Sequence, residues 1–127
     1  ISVPITLATA SVTSVLGLVL AFRVGQGRAI YRTPMGDGGN GDMIIRMRTH
    51  ANFVEYVPLL IVQMALLEVS GASRLWLSLV GAALVAFRIL HAIGMPKAAP
   101  NFFRASGALG TFALVLGTAI WGLVLLL

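Results

Sequence analysis

Apolar residues fill four long stretches of the chain, separated by three polar connections. The stretches run from about Val3 to Phe22, Met43 to Glu68, Leu75 to Ile93 and Phe102 to Leu127. Each is close to or above the roughly 20 residues an α-helix needs to cross the hydrocarbon core of a bilayer. The pattern therefore predicts an all-α integral membrane four-helix bundle, a single domain over residues 1–127. The second stretch, about 39 Å long at 1.5 Å per residue, exceeds the core. Its first turns, with Arg46, Arg48, His50, Asn52 and Glu55, should then project into the headgroup layer. Pro58 lies further in, removes one backbone donor and should bend that helix. In the first stretch Thr6, Thr9, Thr13 and Gly17 recur at helical spacing, a stripe of small residues that lets helices approach closely.

The connections carry most of the charge. From Arg23 to Asp42 the chain is polar, with a Gly36-Asp37-Gly38-Gly39-Asn40-Gly41-Asp42 run. That run lacks the Lys-Ser/Thr end of a phosphate loop and the ligand spacing of a calcium loop, so it reads as a flexible connection, with Asp42 capping the next helix. Gly94 to Pro100 reads as a turn. Of the nine basic residues, Arg23, Arg28, Arg32, Arg46, Arg48, Arg88, Lys97 and Arg104 belong to the first and third connections and adjoining helix ends, and Arg74 alone to the other side. By the positive-inside rule, the basic connections face the cytoplasm and both termini lie on the opposite side. The first stretch is too long and too weakly charged at its start to resemble a signal peptide, and is expected to be a retained helix.

Composition narrows the chemistry. Only 10% of residues are charged against 58% hydrophobic, far from the ~25% charge of a water-facing domain. There is no cysteine and there are two histidines, which removes thiolate chemistry of the protein's own and argues against a metal site. The arginines flank apolar helices without interleaved aromatics, a poor surface for nucleic acid.

Candidate chemistry gathers at the basic end. Arg48, Asn52 and Glu55 fall within roughly 60° of one another around a helix, bordered by Tyr56. Charge near a membrane is costly unless it meets protein, water or a ligand. Spacing alone leaves two readings: an internal Arg48–Glu55 ion pair, or a binding face. Arg88, deep in the third stretch, needs a partner, with Glu55 the nearest acidic candidate. His91, one turn later, is either an acid–base group or a hydrogen-bonding residue. Arg104 opens the fourth helix, where the dipole disfavours a cation unless an anion binds there. Several cations, one carboxylate, an amide and a phenol suit a small zwitterionic ligand with more than one carboxylate.

Gly36-Asp37-Gly38-Gly39-Asn40, followed by Arg48-Thr49-His50-Ala51-Asn52-Phe53-Val54-Glu55-Tyr56-Val57-Pro58, resembles the MAPEG family, membrane-associated proteins in eicosanoid and glutathione metabolism, whose second-helix signature is R-x-x-x-N-x-x-E-x-x-P. Arg88-Ile89-Leu90-His91 is similar to R-x-x-H of the prostaglandin E synthase branch, with Arg104 sixteen positions on. The resemblance implies a homotrimer binding glutathione as co-substrate between subunits near the cytoplasmic face. Arg48, Asn52, Glu55 and Tyr56 match its glutathione-holding residues and His50 a histidine of the prostaglandin synthase branch. Arg88 and His91 join this set, and Arg28, with Arg32 as the alternative, matches an arginine after the first helix. Arg104 matches the arginine that stabilises the glutathione thiolate. The chain departs from the eicosanoid-specialised relatives at Ile93 and Met95, where they carry tyrosines. That favours a general glutathione transferase or peroxidase acting on an apolar electrophile or lipid hydroperoxide drawn from the bilayer. The alternatives are a non-enzymatic lipid- or glutathione-binding protein and a small multidrug transporter. The last needs a carboxylate deep in the membrane, whereas Glu55 and Glu68 lie nearer the ends of their helix.

Overall fold

The computed structural model describes residues 1–127 as four helices: α1 (Pro4–Ile30), α2 (Gly41–Val69), α3 (Arg74–Gly94) and α4 (Phe102–Leu125). All four are long and apolar enough to cross a membrane. The four spans match the expected stretches, with one large difference at the end of α1. The helix does not stop near Phe22 but continues for two turns to Ile30. Hydropathy marks where the chain leaves the hydrocarbon, and a helix ends only where its backbone stops. Gly27 permits the extension by packing against Met43 and Arg46 of α2, each 2.8 Å from where a Cβ would sit. The Arg23 carbonyl accepts a 2.8 Å hydrogen bond from Arg46 Nη1, which fastens the extension to α2. Arg32, at φ +50°, then breaks the helix.

The α2 cap also differs from expectation. Asn40, not Asp42, accepts from the Met43 N–H at 3.0 Å. Asp42 sits inside the first turn, accepting from Tyr31 Oη at 2.6 Å and Arg46 Nε at 2.9 Å. That bond to Asp42 raises the Tyr31 phenol above its ordinary pKa. Pro58 lies within an α2 that continues as α-helix on both sides.

Neighbouring helices run antiparallel, so the two basic connections share one end. The core lies along α2 and α3: Phe53, Val57, Leu60, Met64 and Leu67, spaced three and four apart, meet Leu77 and Leu84, with Leu20 from α1. α1 and α4 do not touch. Thr6, Thr9 and Thr13 are buried, and Gly81 of α3 lies so close to the Thr9 hydroxyl that no side chain fits between them. The stripe of small residues thus does what its spacing predicts. Thr9 and Thr13 return their hydroxyls to Ile5 O and Thr9 O, as a membrane interior demands.

α3 and α4 approach most closely through glycine. A Cβ at Gly107 would lie 2.5 Å from the His91 nitrogen and 2.6 Å from Phe87 O, and one at Gly94 would overlap the Arg104 backbone. These positions bring the end of α3 against the start of α4, where the candidate site lies.

Candidate functional site

Three elements build a cavity of about 440 Å³ at the basic end, lined by Ile44, Ile45, Arg48 and Asn52 of α2, His91 and Met95 at the end of α3, and Arg104 and Ala108 of α4. Its volume falls in the ~300–1,000 Å³ range of small-molecule sites. Arg104 is placed by Asn101, which caps α4 by accepting from the Arg104 N–H at 2.9 Å. The Asn101 amide also donates to Gly94 O at 3.0 Å and Ala98 O at 3.2 Å, so one side chain ties the end of α3 to the start of α4.

No carboxylate lines the cavity. The four acidic residues are all engaged or elsewhere. Asp37 accepts from the Gly39 N–H inside the first connection, and Asp42 is held by Tyr31 and Arg46. Glu68 lies at the far end of the bundle, where it accepts from the Ile5 and Thr6 N–H groups. Glu55 is 3.9 Å from Arg48, with both side chains about half exposed, a loose pair that contributes little and leaves Arg48 free to turn to a ligand. Arg104 has no acidic partner.

Arg88 corrects an expectation. It does not pair with Glu55 but donates to Asn52 Oδ1 at 2.7 Å and Thr111 Oγ1 at 3.2 Å, and faces His91 Nδ1 at 3.4 Å. Asn52 stands one turn before Glu55 on the same stripe, and its amide oxygen is already turned inward. Arg88 is 1% exposed and lies behind the cavity wall, with the Phe53 ring centre 5.8 Å from its guanidinium carbon.

Of the residues singled out from the sequence, Arg48, Asn52, His91 and Arg104 meet in one cavity, with Arg88 directly behind. The others lie outside it within a single chain. Arg28 donates to Thr33 O at 3.2 Å and Gly36 O at 2.8 Å, bracing the first connection. His50 is half-buried on α2. Tyr56 packs edge-on against Phe112 of α4, centroids 4.9 Å apart. Met95, at one of the two positions where the specialised relatives carry tyrosine, lines the cavity, and Ile93 faces outward. Sequence reasoning missed Asn101 and Thr111. Asn101, three residues before Arg104 at a helix start, carried a capping signal. Thr111, seven residues after Arg104, carried a same-face signal.

The chain matches the MAPEG family model over residues 6–124. The chain belongs to the MAPEG family. Among curated proteins it is 35% identical over 85 residues to inner membrane protein YecN of Escherichia coli strain K12, and equally so to its counterpart in E. coli O6:H1. The aligned stretch covers 67% of this chain and 65%, just under two thirds, of each relative. Family membership and the four spans together make this an integral, multi-pass membrane protein of MAPEG type.

A larger cavity, about 640 Å³, lies between α3 and α4 at the opposite end. Trp76, Leu79, Val80, Leu114 and Trp121 line it, with no ionisable side chain. That lining offers no charge to hold an ionic ligand, so size does not mark the site here.

Proposed function

We propose that this MAPEG protein is a membrane-bound glutathione transferase, with peroxide reduction as a related activity, and that the basic-end cavity holds glutathione. The observation that carries the reading is the convergence of Arg48 and Arg104 on one cavity that contains no carboxylate. Arg104 has no acidic partner and Arg48 only a loose, half-exposed one in Glu55, so these two cations, next to an amide and an imidazole, call for an anionic ligand.

In this reading Arg48, Asn52 and His91 hold the peptide and its carboxylates, and Arg104 faces the sulfur. A thiol is mostly protonated at neutral pH, and a guanidinium alongside favours the thiolate, the actual nucleophile. Each pKa unit of acidification corresponds to about 1.4 kcal/mol of preferential thiolate stabilisation. The thiol proton leaves to solvent, the thiolate forms a C–S bond to an electrophilic carbon, and the leaving group departs with the electron pair of the broken bond. With a lipid hydroperoxide the thiolate attacks the terminal oxygen, the O–O bond breaks, and the alkoxide takes a proton from solvent and leaves as the alcohol. A second glutathione then reduces the sulfenic acid to give glutathione disulfide and water. The apolar side of the cavity, Ile44, Ile45 and Met95, admits a membrane-dissolved substrate.

Arg28, His50, Glu55 and Tyr56 belong to the same glutathione site through assembly: the protein is a homotrimer, and these residues serve a site shared with a neighbouring subunit. Glu55 is the partner for the ligand's ammonium group. The basic end faces the cytoplasm, where glutathione is available. The test is conjugation of glutathione to a chlorodinitrobenzene by detergent-purified protein. Glutathione-dependent turnover that collapses in Arg104→Ala supports the proposal. Tight glutathione binding without turnover on this or hydroperoxide substrates assigns a binding role instead.

A further inference from the structure

Arg88 is the one arginine or lysine that the fold buries, and the thiol chemistry gives it no direct task. A guanidinium carries donors and no acceptor. The atoms it faces must therefore present lone pairs. Arg88 Nη2 lies 2.7 Å from Asn52 Oδ1 and 3.4 Å from His91 Nδ1. Nη1 donates to Thr111 Oγ1 at 3.2 Å, and that hydroxyl spends its own proton on Gly107 O at 2.8 Å. None of the three partners is a carboxylate, and Arg88 Nε has no partner.

Two consequences reach the cavity. With its Nδ1 turned to Arg88 as acceptor, a neutral His91 ring carries its proton on Nε2. With its oxygen held by Arg88, the Asn52 amide presents its NH₂ group on the other side. Neither Asn52 Nδ2 nor His91 Nε2 has an acceptor within the chain, and neither is a sealed, unsatisfied atom. Both residues line the cavity, whose other side chains are Arg48, Arg104 and four apolar residues.

We propose that Arg88 is a positioning residue that turns Asn52 and His91 into hydrogen-bond donors toward the cavity, so that every polar side chain lining it donates and the group bound there is an anion. This rests on the reading of the cavity as a ligand site and deepens it, because it states which face of an amide and an imidazole the ligand meets. A neutral group of the same shape would receive the same hydrogen bonds without satisfying the two cations. An ammonium group is excluded from this wall, consistent with a place for it at Glu55, outside the cavity.

The tautomer is measurable without ligand. Nitrogen-15 spectra of histidine-labelled full-length protein in detergent micelles, with His50→Gln to isolate the His91 signals, should show the Nε2–H tautomer at neutral pH. Arg88→Lys, still a pure donor, should retain it, and Arg88→Gln should shift it toward a mixture. An Nδ1–H tautomer in the wild type overturns the inference, and that reading stands even if Arg88→Gln fails to fold. The second arm uses Asn52→Asp, which keeps an acceptor for Arg88 but faces the cavity with another acceptor. Glutathione affinity should fall at least about tenfold with the fold retained, and unchanged affinity overturns the donor role of Asn52. Should the wild type show the Nε2–H tautomer yet bind no glutathione, the glutathione reading fails and the role of Arg88 survives. Glutathione binding with the wrong tautomer gives the converse.

Discussion

The two ends of the bundle handle polar groups in opposite ways. At the end holding both termini, Glu68 of α2 accepts from the Ile5 and Thr6 N–H groups, at 2.9 and 2.8 Å, and so caps an α1 that has no side-chain cap of its own. An anion at a helix N-terminus satisfies orphan donors and the helix dipole together. At the basic end Asp42, Arg46, Tyr31 and the Arg23 carbonyl close a comparable structural knot between α1 and α2. One helix pair away, Arg48 and Arg104 stand at a cavity that no carboxylate lines, Arg104 without an acidic partner and Arg48 with only the loose Glu55 contact. A membrane protein tolerates charge in both places, but for different reasons: the Glu68 carboxylate is used within the chain, and on the function proposed above the two arginines are matched by a bound anion.

That contrast can be broken experimentally. The largest effect is expected on catalysis at the open end. Arg104→Ala should lower the conjugation rate on the order of 100-fold, the scale for removing one preorganised stabiliser of a reacting anion. A fall of less than about threefold would place thiolate activation elsewhere.

Next comes the packing that positions Arg104. Gly94→Ala puts a methyl into the Arg104 backbone, which cannot move aside as a flexible side chain can. Thermal unfolding in detergent should show about 1–3 kcal/mol of destabilisation, with weaker glutathione binding. Gly117→Ala, where an added Cβ meets nothing, serves as the matched control and should be neutral or slightly stabilising.

At the closed end, Glu68→Gln keeps one acceptor oxygen for two backbone donors and loses the charge. A cost of about 1–2 kcal/mol should appear in denaturation, with glutathione affinity untouched. If affinity fell in parallel, the two ends would be coupled and the division drawn here would be wrong. The smallest effect belongs to Gln63, which reaches from α2 to Thr118 O on α4 at 3.2 Å. Gln63→Leu should cost about 0.6 kcal/mol, typical of one interhelical hydrogen bond in a bilayer.

Much of this was legible beforehand, and the limits are physical. Four spans follow from hydropathy because a bilayer enforces length and internal hydrogen bonding. Charge asymmetry brings the polar ends of α2, α3 and α4 to one face, and helical spacing puts Arg48 and Asn52 on one stripe, whereas His91 and Arg104 were tied to that stripe by the family resemblance. The extension of α1 to Ile30 was hidden, because a helix leaving the membrane becomes polar without unwinding. The partner of Arg88 was misjudged for a different reason. Counting charges selects Glu55, whereas the buried guanidinium takes the acceptors within reach, an amide, a hydroxyl and an imidazole. Which of two stripe residues turns inward depends on the rotation of α2, and single-sequence spacing leaves that open.

The most direct measurement is calorimetric titration of glutathione into detergent-purified wild type, Glu68→Gln and the double variant Arg48→Ala/Arg104→Ala. The account predicts that the first two bind alike and that the double variant loses at least about tenfold in affinity, with its helical content unchanged. A double variant that binds glutathione as well as the wild type would contradict it, because the open arginines at the basic end would then not be the site.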